Sequence, residues 1–535
     1  MSSDELADAV IIGAGISGMY QLHKLRDELG LSVKVFEGGS GVGGTWYWNR
    51  YPGARFDSES YSYGYSFSEE LLQEWEWKEH FSPQPDNLKY LEFVADKFNL
   101  RPNIEFNTRV VSAHYNDDDN FWTVETDKGR SFRCKFLITA VGVLSTPFVP
   151  DIPGLDNFKR DSWHTANWPK DNVKFEGKKV GVIGTGATAV QLIPEVAKTV
   201  GELTVFQRTA NFCKPIGNRL ISDAEQIEIK KNYPKIFQRC KETFGSFLAD
   251  FEKKSAFDAS PEEREARYEE LWNEPGFGFW LGTYEDILTD AKANETQAEF
   301  VRKKIRSRVK DPAVAEMLCP KGHPFGTKRV PLENGYYEVY NRPNVELVDI
   351  KATPIEQVHA TGLKTAEKDY EFDILILATG FDTVTGSLDR IDIRGIGGTS
   401  LKEKWADGPK TYLGMGSSGF PNMFTVVGPH NGATFCNIPR CIEQNVEWVS
   451  DCIKYMNENR IARIDPNRDA EDKWTTHVQE AAAGTLFPEA DSWFMGANIP
   501  GKKRQMYLYA GGSPLYREKC DQVAGNHYEG YTLRK

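Results

Sequence analysis

Short apolar runs alternate with small-residue turns along the chain, and twice they form the same strand–turn–helix–strand pattern. In the first case residues 9–12 are apolar, a glycine turn and a helical pattern follow, and a second apolar run ends at Glu37. The same order recurs between Lys179 and Arg208. Short apolar runs separated by helices are typical of parallel sheets, so the pattern predicts two βαβ units in an α/β fold.

Outside these units the pattern predicts elements of other kinds. Apolar strands at 136–142 and 374–380 each end in a small-residue turn. Between residues 221 and 314 charged residues dominate and apolar ones recur at helical spacing, which predicts a helical insertion. The acidic run at 116–120 predicts a hairpin tip. From Pro421 onward the pattern supports no fine assignment.

Length, charge and cysteine content narrow the class of protein. A chain of 535 residues suggests two to four domains, and a net charge of −12 disfavours nucleic-acid binding. The eight cysteines form no C-x-x-C pair, which predicts reduced thiols in a cytoplasmic protein without a metal site. The N-terminus lacks a signal-peptide pattern, and no apolar run approaches the roughly 18 residues of a membrane span. We expect a monomer or weak oligomer.

The first unit contains a dinucleotide-binding fingerprint. Gly13, Gly15 and Gly18 allow a tight turn and close approach of a pyrophosphate to the helix N-terminus, with Ser17 in the same turn. Glu37 ends the second strand, where a carboxylate accepts hydrogen bonds from ribose hydroxyls. The simpler alternative is a plain strand–helix turn. The combination of strand, helix and acid in register favours the dinucleotide site.

The second unit differs at the end of its second strand. Gln207 replaces the acid and Arg208 follows it, so a 2′-phosphate would be held by a guanidinium rather than repelled by a carboxylate. This predicts NADPH rather than NADH; the alternative for Arg208 is an ordinary surface arginine. The residues predicted to bind this nucleotide are Gly184, Thr185, Gly186, Ala187, Thr188, Ala189, Gln191, Arg208 and Thr209.

Two dinucleotide sites in one chain indicate electron transfer. We predict that the first site holds FAD and that the second brings the hydride of NADPH. This much fits reductases, oxidases and monooxygenases equally well.

Three longer motifs carry a resemblance to a known family. They are G-T-W-Y-W-N-R-Y-P-G-A-R-F-D at 44–57, F-K-R-D-S-W-H-T-A-N-W-P at 158–169, and the Lys328-Arg329 pair. With them the chain resembles, over nearly its whole length, the single-component FAD- and NADPH-dependent Baeyer–Villiger monooxygenases. The second motif departs from the family pattern at Arg160, where the family has Gly, and this questions the local backbone geometry.

The resemblance implies roles for particular residues. Arg329 is implied as the main catalytic residue, set in place by Asp57, with Arg55 beside them where flavin and nicotinamide meet. Lys328 is implied to help hold the 2′-phosphate, and Trp493 lies on a loop that folds over NADPH. The other implied residues are Thr45, Trp46 and Trp48 at the flavin, Phe158, His164 and Trp168 in the family fingerprint, and Ala433, Thr434 and Phe435 at the substrate pocket.

The resemblance also implies the reaction. A ketone, expected to be cyclic, is converted to a lactone or ester with NADPH and O2 through a peroxyflavin, whose charge a fixed cation would stabilise. The alternatives are an N- or S-oxygenating flavin monooxygenase, an NADPH oxidase that releases peroxide, and a non-catalytic flavin-bound redox sensor.

The implied architecture agrees with the pattern along the chain. It has two Rossmann-like domains, the NADPH domain inserted in the FAD domain, and a helical insertion. The expected bounds are 1–143 and 381–535 for the FAD domain, 144–216 and 326–380 for the NADPH domain, and 217–325 for the helical domain.

Overall fold

A computed structural model describes residues 5–432 and 436–535. Its strands are β1 Glu5–Ile12, β2 Val33–Phe36, β3 Ile104–Glu105, β4 Val110–Asn116, β5 Phe121–Thr126, β6 Ser131–Thr139, β7 Asp161–His164, β8 Lys179–Ile183, β9 Glu202–Gln207, β10 Lys214–Pro215, β11 Leu332–Glu333, β12 Val345–Asp349, β13 Ile355–His359, β14 Gly362–Thr365, β15 Asp369–Glu371, β16 Ile374–Leu377, β17 Asp392–Arg394, β18 Met423–Thr425, β19 Arg463–Pro466 and β20 Tyr531–Arg534. Its α-helices are α1 Ile16–His23, α2 Thr45–Trp48, α3 Ser60–Tyr63, α4 Glu69–Glu74, α5 Gln84–Lys97, α6 Ala187–Val196, α7 Asp223–Glu242, α8 Pro261–Asn273, α9 Gly278–Leu281, α10 Ala291–Arg308, α11 Pro312–Leu318, α12 Leu401–Lys404, α13 Ile438–Glu458, α14 Arg468–Ala483 and α15 Ser513–Gly525.

The first sheet is mixed and joins both ends of the chain. Its order is β17-β4-β5-β6-β1-β2-β3, and β18 also pairs with β6. The β1, β2, β3 and β6 strands are parallel, whereas β4, β5 and β6 form an antiparallel meander. The hairpin between β4 and β5 turns at the predicted acidic tip. The chain leaves this sheet after Thr139 and returns at Asp392, so everything between is inserted.

The second sheet is parallel throughout, in the order β12-β9-β8-β16-β7. The two strands of the second predicted βαβ unit are β8 and β9, and the apolar run predicted at 374–380 begins with β16, so all three lie next to one another in this sheet. Parallel strands covered on both faces require nearly continuous apolar sequence, which is why these runs were visible in the chain. The two sheets confirm the predicted α/β class with two dinucleotide-type units.

The helical insertion lies between β10 and β11, which pair in parallel and close its base. Its helices start at sites that the sequence marks locally. Ser222 and Ser260 each form a capping box with the glutamate three residues later, and Asp290 and Asp311 cap α10 and α11. Each cap satisfies backbone N–H groups at a helix start that have no partner within the helix.

The C-terminal stretch contains long helices that the sequence pattern did not resolve. The longest, α13, packs against α1 behind the first glycine turn. Most of its residues are buried, including polar ones such as Asn445 and Gln444. Its apolar residues Ile442, Val446, Val449, Ile453 and Met456 recur at helical spacing and form a one-sided stripe, a periodicity that the sequence analysis overlooked among the Gly, Pro and aromatic residues of this region.

One expectation about the thiols is wrong. Cys436 and Cys441 are joined by a disulfide, while the other six cysteines are free and buried. Cys441 lies in the first turn of α13, which brings the two α-carbons within 6.5 Å, and that separation suits a disulfide.

Among residues 5–432 and 436–535, no helix is long and apolar enough to cross a membrane. The same residues contain no group of His, Cys, Asp or Glu side chains suited to a metal ion.

Candidate active site

The first glycine turn is held by the acid that the sequence singled out. Gly13 has a left-handed φ of +106°, and a Cβ at this position would lie 2.5 Å from the carbonyl oxygen of Ala140. Glu37 reaches back from the end of β2, where its two carboxylate oxygens accept hydrogen bonds from the backbone N–H groups of Ala14 (2.8 Å) and Gly39 (2.6 Å). Each oxygen retains a second lone pair, so the carboxylate can still accept from a ribose hydroxyl.

The second glycine turn has the same backbone but different chemistry. Gly184 has a φ of +113°, and a Cβ would lie 2.3 Å from the carbonyl oxygen of Ala378. The Thr185 hydroxyl donates to the carbonyl of Thr209 at 3.0 Å, which fixes the strand end beside the turn. Gln207 occupies the place of the acid, but its amide turns away and donates to the carbonyl of Met317 in the helical insertion.

A cluster of cations lies beside this second turn. Burial lowers the pKa of Lys328, and the neighbouring charges of Arg208 and Lys351 lower it further, against an opposing effect of Asp491. Neither Lys328 nor Arg208 has an ion-pair partner in the described part of the chain. Burial together with Lys328 also lowers the pKa of His323, to about 3. Cations that repel one another and have no direct ion pair form a suitable site for a phosphate dianion.

The side chains in the segment that follows β2 are buried to different extents. Thr45 is exposed and Trp48 is half-buried, so both remain accessible to a ligand. Trp46 is buried, donates its indole N–H to the Tyr63 hydroxyl at 3.1 Å, and packs edge-on against Phe56. The structure therefore places Trp46 in the protein core, and a contact with flavin could involve only its margin.

Asp57 and Arg329 form an ion pair, although 272 residues separate them. The Arg329 Nη2 donates to Asp57 Oδ2 at 2.8 Å. The carboxylate side chain is only 3% exposed, whereas the arginine side chain is 41% exposed. The guanidinium carbon lies 5.5 Å from the centroid of the Phe277 ring. Arg329 is thus held on one side by a buried anion and open on the other, as expected for a fixed cation that meets a ligand.

Arg55 is engaged elsewhere. Its guanidinium donates to Glu79 at 3.2 Å and to the carbonyl of Phe81 at 3.1 Å. The backbone of Arg55 instead meets Gln191 of α6. Of the two arginines implied at this site, Arg329 is therefore the one with a free face, and Arg55 is occupied by a partner of its own.

The family fingerprint lies along β7, the edge strand of the second sheet, and in the turns on either side of it. His164 is buried, and its Nδ1 accepts from the backbone N–H of Ala166 at 3.1 Å, which assigns the ring proton to Nε2. Burial lowers the pKa of His164, partly offset by the nearby carbonyls of Gly380 and Phe148. Trp168 is buried near Trp163, while Phe158 is half-buried.

Arg160 does not require the conformational freedom of the glycine it replaces. The backbone φ of Arg160 is negative, as any residue can adopt. The side chain donates to the carbonyl of Phe372 at 2.8 Å and lies 3.6 Å from Asp373. The arginine therefore adds contacts to the second sheet at an ordinary backbone position.

The Trp493 loop is fastened to the turn after β16. Lys502 donates to Asp382 at 2.7 Å and to the carbonyl of Thr383 at 2.6 Å, and Asn498 donates to the carbonyl of Phe381 at 2.9 Å. Trp493 itself is half-buried. Sequence reasoning missed this attachment, the contact of Arg329 with the Phe277 ring, and the hydrogen bond from Gln207 to Met317.

The predicted pocket residues Ala433, Thr434 and Phe435 lie outside the described residues.

The residues present fit one dinucleotide at each turn. The first turn offers a helix N-terminus, a left-handed glycine and a carboxylate at the strand end, which suit the pyrophosphate and ribose of FAD. The second offers the same turn with unpaired Arg208 and Lys328, which suit the 2′-phosphate of NADPH. The Asp57–Arg329 pair joins the segment after the first turn to the irregular segment that precedes β11.

Comparisons with known proteins agree with this assignment. Residues 10–231 match the family model described as pyridine nucleotide-disulphide oxidoreductase. The chain is 48% identical to the 2-oxo-Δ3-4,5,5-trimethylcyclopentenylacetyl-CoA monooxygenase of Pseudomonas putida, with 98% of both chains covered. It is 45% identical to a Baeyer–Villiger monooxygenase of Pseudooceanicola batsensis (98% and 95% covered) and 44% identical to a phenazine N-monooxygenase of Lysobacter antibioticus (98% and 97%).

Solved structures give the same result. A crystal structure of OTEMO in complex with FAD and NADP superposes with a TM-score of 0.96 at 48% identity, covering 99% of this chain and 100% of that one. A cyclohexanone monooxygenase from Rhodococcus sp. Phi1 bound to NADP+ superposes with a TM-score of 0.97 at 45% identity, covering both chains fully. With full-length relatives at this identity and the two nucleotide sites in place, the chain belongs to the Baeyer–Villiger monooxygenase family of FAD- and NADPH-dependent flavoenzymes.

Proposed function

We propose that this enzyme inserts one oxygen atom beside the carbonyl of a cyclic ketone and releases a lactone. The balanced reaction consumes the ketone, O2, NADPH and a proton, and yields the lactone, NADP+ and water. When bound, the flavin supplies the redox chemistry that links NADPH to dioxygen. The family membership and the names of the relatives support the reaction class and the cyclic substrate.

The observation that carries the proposal is the Asp57–Arg329 pair. Addition to a ketone places negative charge on the carbonyl oxygen, and a preorganised cation stabilises such charge better than water does. Arg329 has the required free face, and Asp57 keeps its guanidinium in one orientation. Thr45 and Trp48 are proposed to contact the flavin, and Arg208 with Lys328 the 2′-phosphate. Ala433, Thr434 and Phe435 remain proposed substrate contacts.

Two roles are proposed for the remaining motifs. His164, held neutral and buried at the end of β7, would keep the linker of the two nucleotide domains in register with the turn after β16. The Trp493 loop, fastened by Lys502, would cover the nicotinamide and exclude water from the reaction.

A panel of cyclic, linear and aryl ketones tests the reaction. With purified holoenzyme, NADPH and 18O2, we expect a lactone that is heavier than its ketone by one oxygen atom derived from dioxygen. Cyclic ketones should give the highest kcat/KM. NADPH consumption that yields only hydrogen peroxide with every ketone would contradict the proposal.

N-oxygenation is a second candidate, because one relative of nearly full length is a phenazine N-monooxygenase. The same panel therefore includes a phenazine and a simple tertiary amine. An N-oxide without any ester or lactone would favour this second function.

Finer expectations concern partners and location. We infer that the enzyme works as a monomer or weak oligomer in the cytoplasm, without nucleic-acid or membrane partners. The net charge of −12 supports the absence of nucleic-acid binding. Light scattering at several concentrations measures the oligomeric state.

A further inference from the structure

Gln191 of α6 connects the second nucleotide unit to the segment that carries Asp57. Its Oε1 accepts from the Tyr51 hydroxyl at 2.9 Å and from the backbone N–H of Arg55 at 3.4 Å. Its Nε2 donates to the Arg55 carbonyl at 3.0 Å and to Asp57 Oδ1 at 3.2 Å. One amide of the second nucleotide unit thus makes all of these hydrogen bonds to the segment that follows the first glycine turn.

A second, independent contact occurs at the same residue. Gly53 has a φ of +82°, and a Cβ at this position would lie 2.3 Å from the backbone oxygen of Gln191. Only glycine permits this approach, so the segment is seated directly on the backbone of α6. The packing of Gly53 against α6 therefore fixes the distance between the two backbones, and the hydrogen bonds of the Gln191 amide fix their relative orientation.

Asp57 divides its two oxygens between two partners. Oδ1 faces Gln191 and Oδ2 faces Arg329, and the side chain is almost fully buried. A carboxylate bound at both oxygens cannot rotate about its terminal bond without losing one of them. The direction in which Asp57 presents Oδ2 to Arg329 therefore depends on Gln191.

The orientation of the amide is determined by its neighbours. Oε1 faces an O–H and an N–H donor, while Nε2 faces a carbonyl and a carboxylate. A flipped amide would set donor against donor and acceptor against acceptor, so one orientation is strongly favoured. The bonds to the protein occupy both ends of this side chain, and a direct role in nucleotide binding would have to compete with them.

We propose that Gln191 is a positioning residue for oxygen transfer. Through its hydrogen bond to Asp57 it fixes the orientation of the Arg329 guanidinium, and it thereby couples the position of α6 to that of the catalytic cation. The inference rests on the proposed function. It differs from the nucleotide-binding role that the glycine motif by itself suggests for this residue.

The experiment compares Gln191→Met with Gln191→Glu in the holoenzyme. Methionine keeps the length of the side chain and loses all of the amide bonds. Glutamate keeps an acceptor for Tyr51 but faces Asp57 with a second carboxylate. Gln238→Met, at an exposed position of α7, is the matched control.

Three quantities are measured: anaerobic flavin reduction by saturating NADPH, lactone formed per NADPH, and the melting temperature. We expect reduction within about 3-fold of wild type in both variants. Lactone per NADPH should fall about 10-fold or more, because small displacements of a reacting group cost up to about 100-fold. Hydrogen peroxide, formed from NADPH, O2 and a proton, should account for the difference. Gln191→Glu should be the worse of the two, and Gln238→Met should match wild type.

A double-mutant cycle with Asp57→Asn tests whether the effect passes through Asp57. We expect Gln191→Met to add little once Asp57 is changed. Additive effects, or a raised KM for NADPH with an unchanged lactone yield, would overturn the positioning role. A wild-type enzyme that makes no lactone would instead refute the proposed function, so the two failures are distinguishable.

Discussion

The two glycine turns share a backbone and differ in what their second strand delivers to them. At the first, Glu37 bends back and accepts two backbone N–H bonds of the turn region. At the second, Gln207 points away into the helical insertion, and Arg208 with Lys328 leaves positive charge beside the turn. Both turns have a geometry that suits a pyrophosphate, and we expect the residues at and beside the strand end to determine which nucleotide each turn accepts.

The residue at the strand end also connects each turn to a different part of the molecule. Glu37 stabilises its own turn, so loss of the carboxylate should affect flavin binding and the local backbone together. Gln207 donates to Met317 of the helical insertion, so we expect the nucleotide specificity of the second site to depend on Arg208 and Lys328. Substitutions at the two sites should accordingly have different consequences.

The largest effect is expected for Glu37→Arg. The change removes both backbone bonds of the carboxylate and places a cation where ribose hydroxyls would bind, so the purified protein should contain little FAD. The ratio of flavin absorbance to protein absorbance measures the loss. Glu228→Arg, on the exposed face of α7, is the matched charge reversal. A Glu37→Arg variant that purifies fully yellow would show that this site does not hold FAD.

Arg329→Ala should have the next largest effect, and it separates the two half-reactions. Loss of one preorganised charge at such a site typically costs about 2.7–4 kcal/mol, or roughly 100- to 1,000-fold in rate. Lactone formation should fall to near background while anaerobic reduction by NADPH persists. Stopped-flow reduction and product analysis on the same preparation measure both.

Lactone synthesis near the wild-type rate would move the catalytic role elsewhere. Arg55 would be the next candidate, although its bonds to Glu79 and Phe81 must then be broken first.

Arg208→Ala tests the charge at the second turn. A charge-assisted hydrogen bond contributes about 1.5–3 kcal/mol, so the KM for NADPH should rise roughly 10-fold or more. The kinetics with NADH should barely change, because NADH lacks the 2′-phosphate. Equal losses with both coenzymes would mean that Arg208 supports the fold rather than phosphate recognition.

The smallest effect concerns pH. Burial and the neighbouring Arg208 lower the pKa of Lys328 in the free enzyme, so this residue loses its proton at a lower pH than an ordinary lysine. The KM for NADPH should therefore rise a few-fold as pH increases through the alkaline range, at saturating ketone. In Arg208→Ala one repelling charge is gone and the pKa of Lys328 rises, so the increase in the KM for NADPH should occur at higher pH. An increase at the same pH as in the wild type would contradict the coupling of the two cations.

The sequence by itself determined the elements that depend on local pattern. Strands such as β2 and β16 are buried apolar runs, the helical insertion begins at capping boxes, and the acid or arginine at a strand end follows its glycine turn at a fixed spacing. These features need only neighbours along the chain, and the family resemblance extended them to Asp57, His164 and Arg329. The domain bounds remain predictions, because strand pairing places the inserted segment without fixing where each domain begins and ends.

Only the tertiary structure decided which side chains meet. Nothing local shows that Arg55 pairs with Glu79, that Gln207 bonds to Met317, or that Gln191 reaches Asp57. Nothing along the chain indicates the Cys436–Cys441 bond either. The α13 helix is a different case, because its apolar residues do recur at helical spacing and the sequence analysis overlooked them. Each of the three contacts depends on surfaces brought together from distant parts of the chain. A hydrogen bond or ion pair has a range of a few ångströms, so its partners are set by the packing of the units rather than by the order of residues.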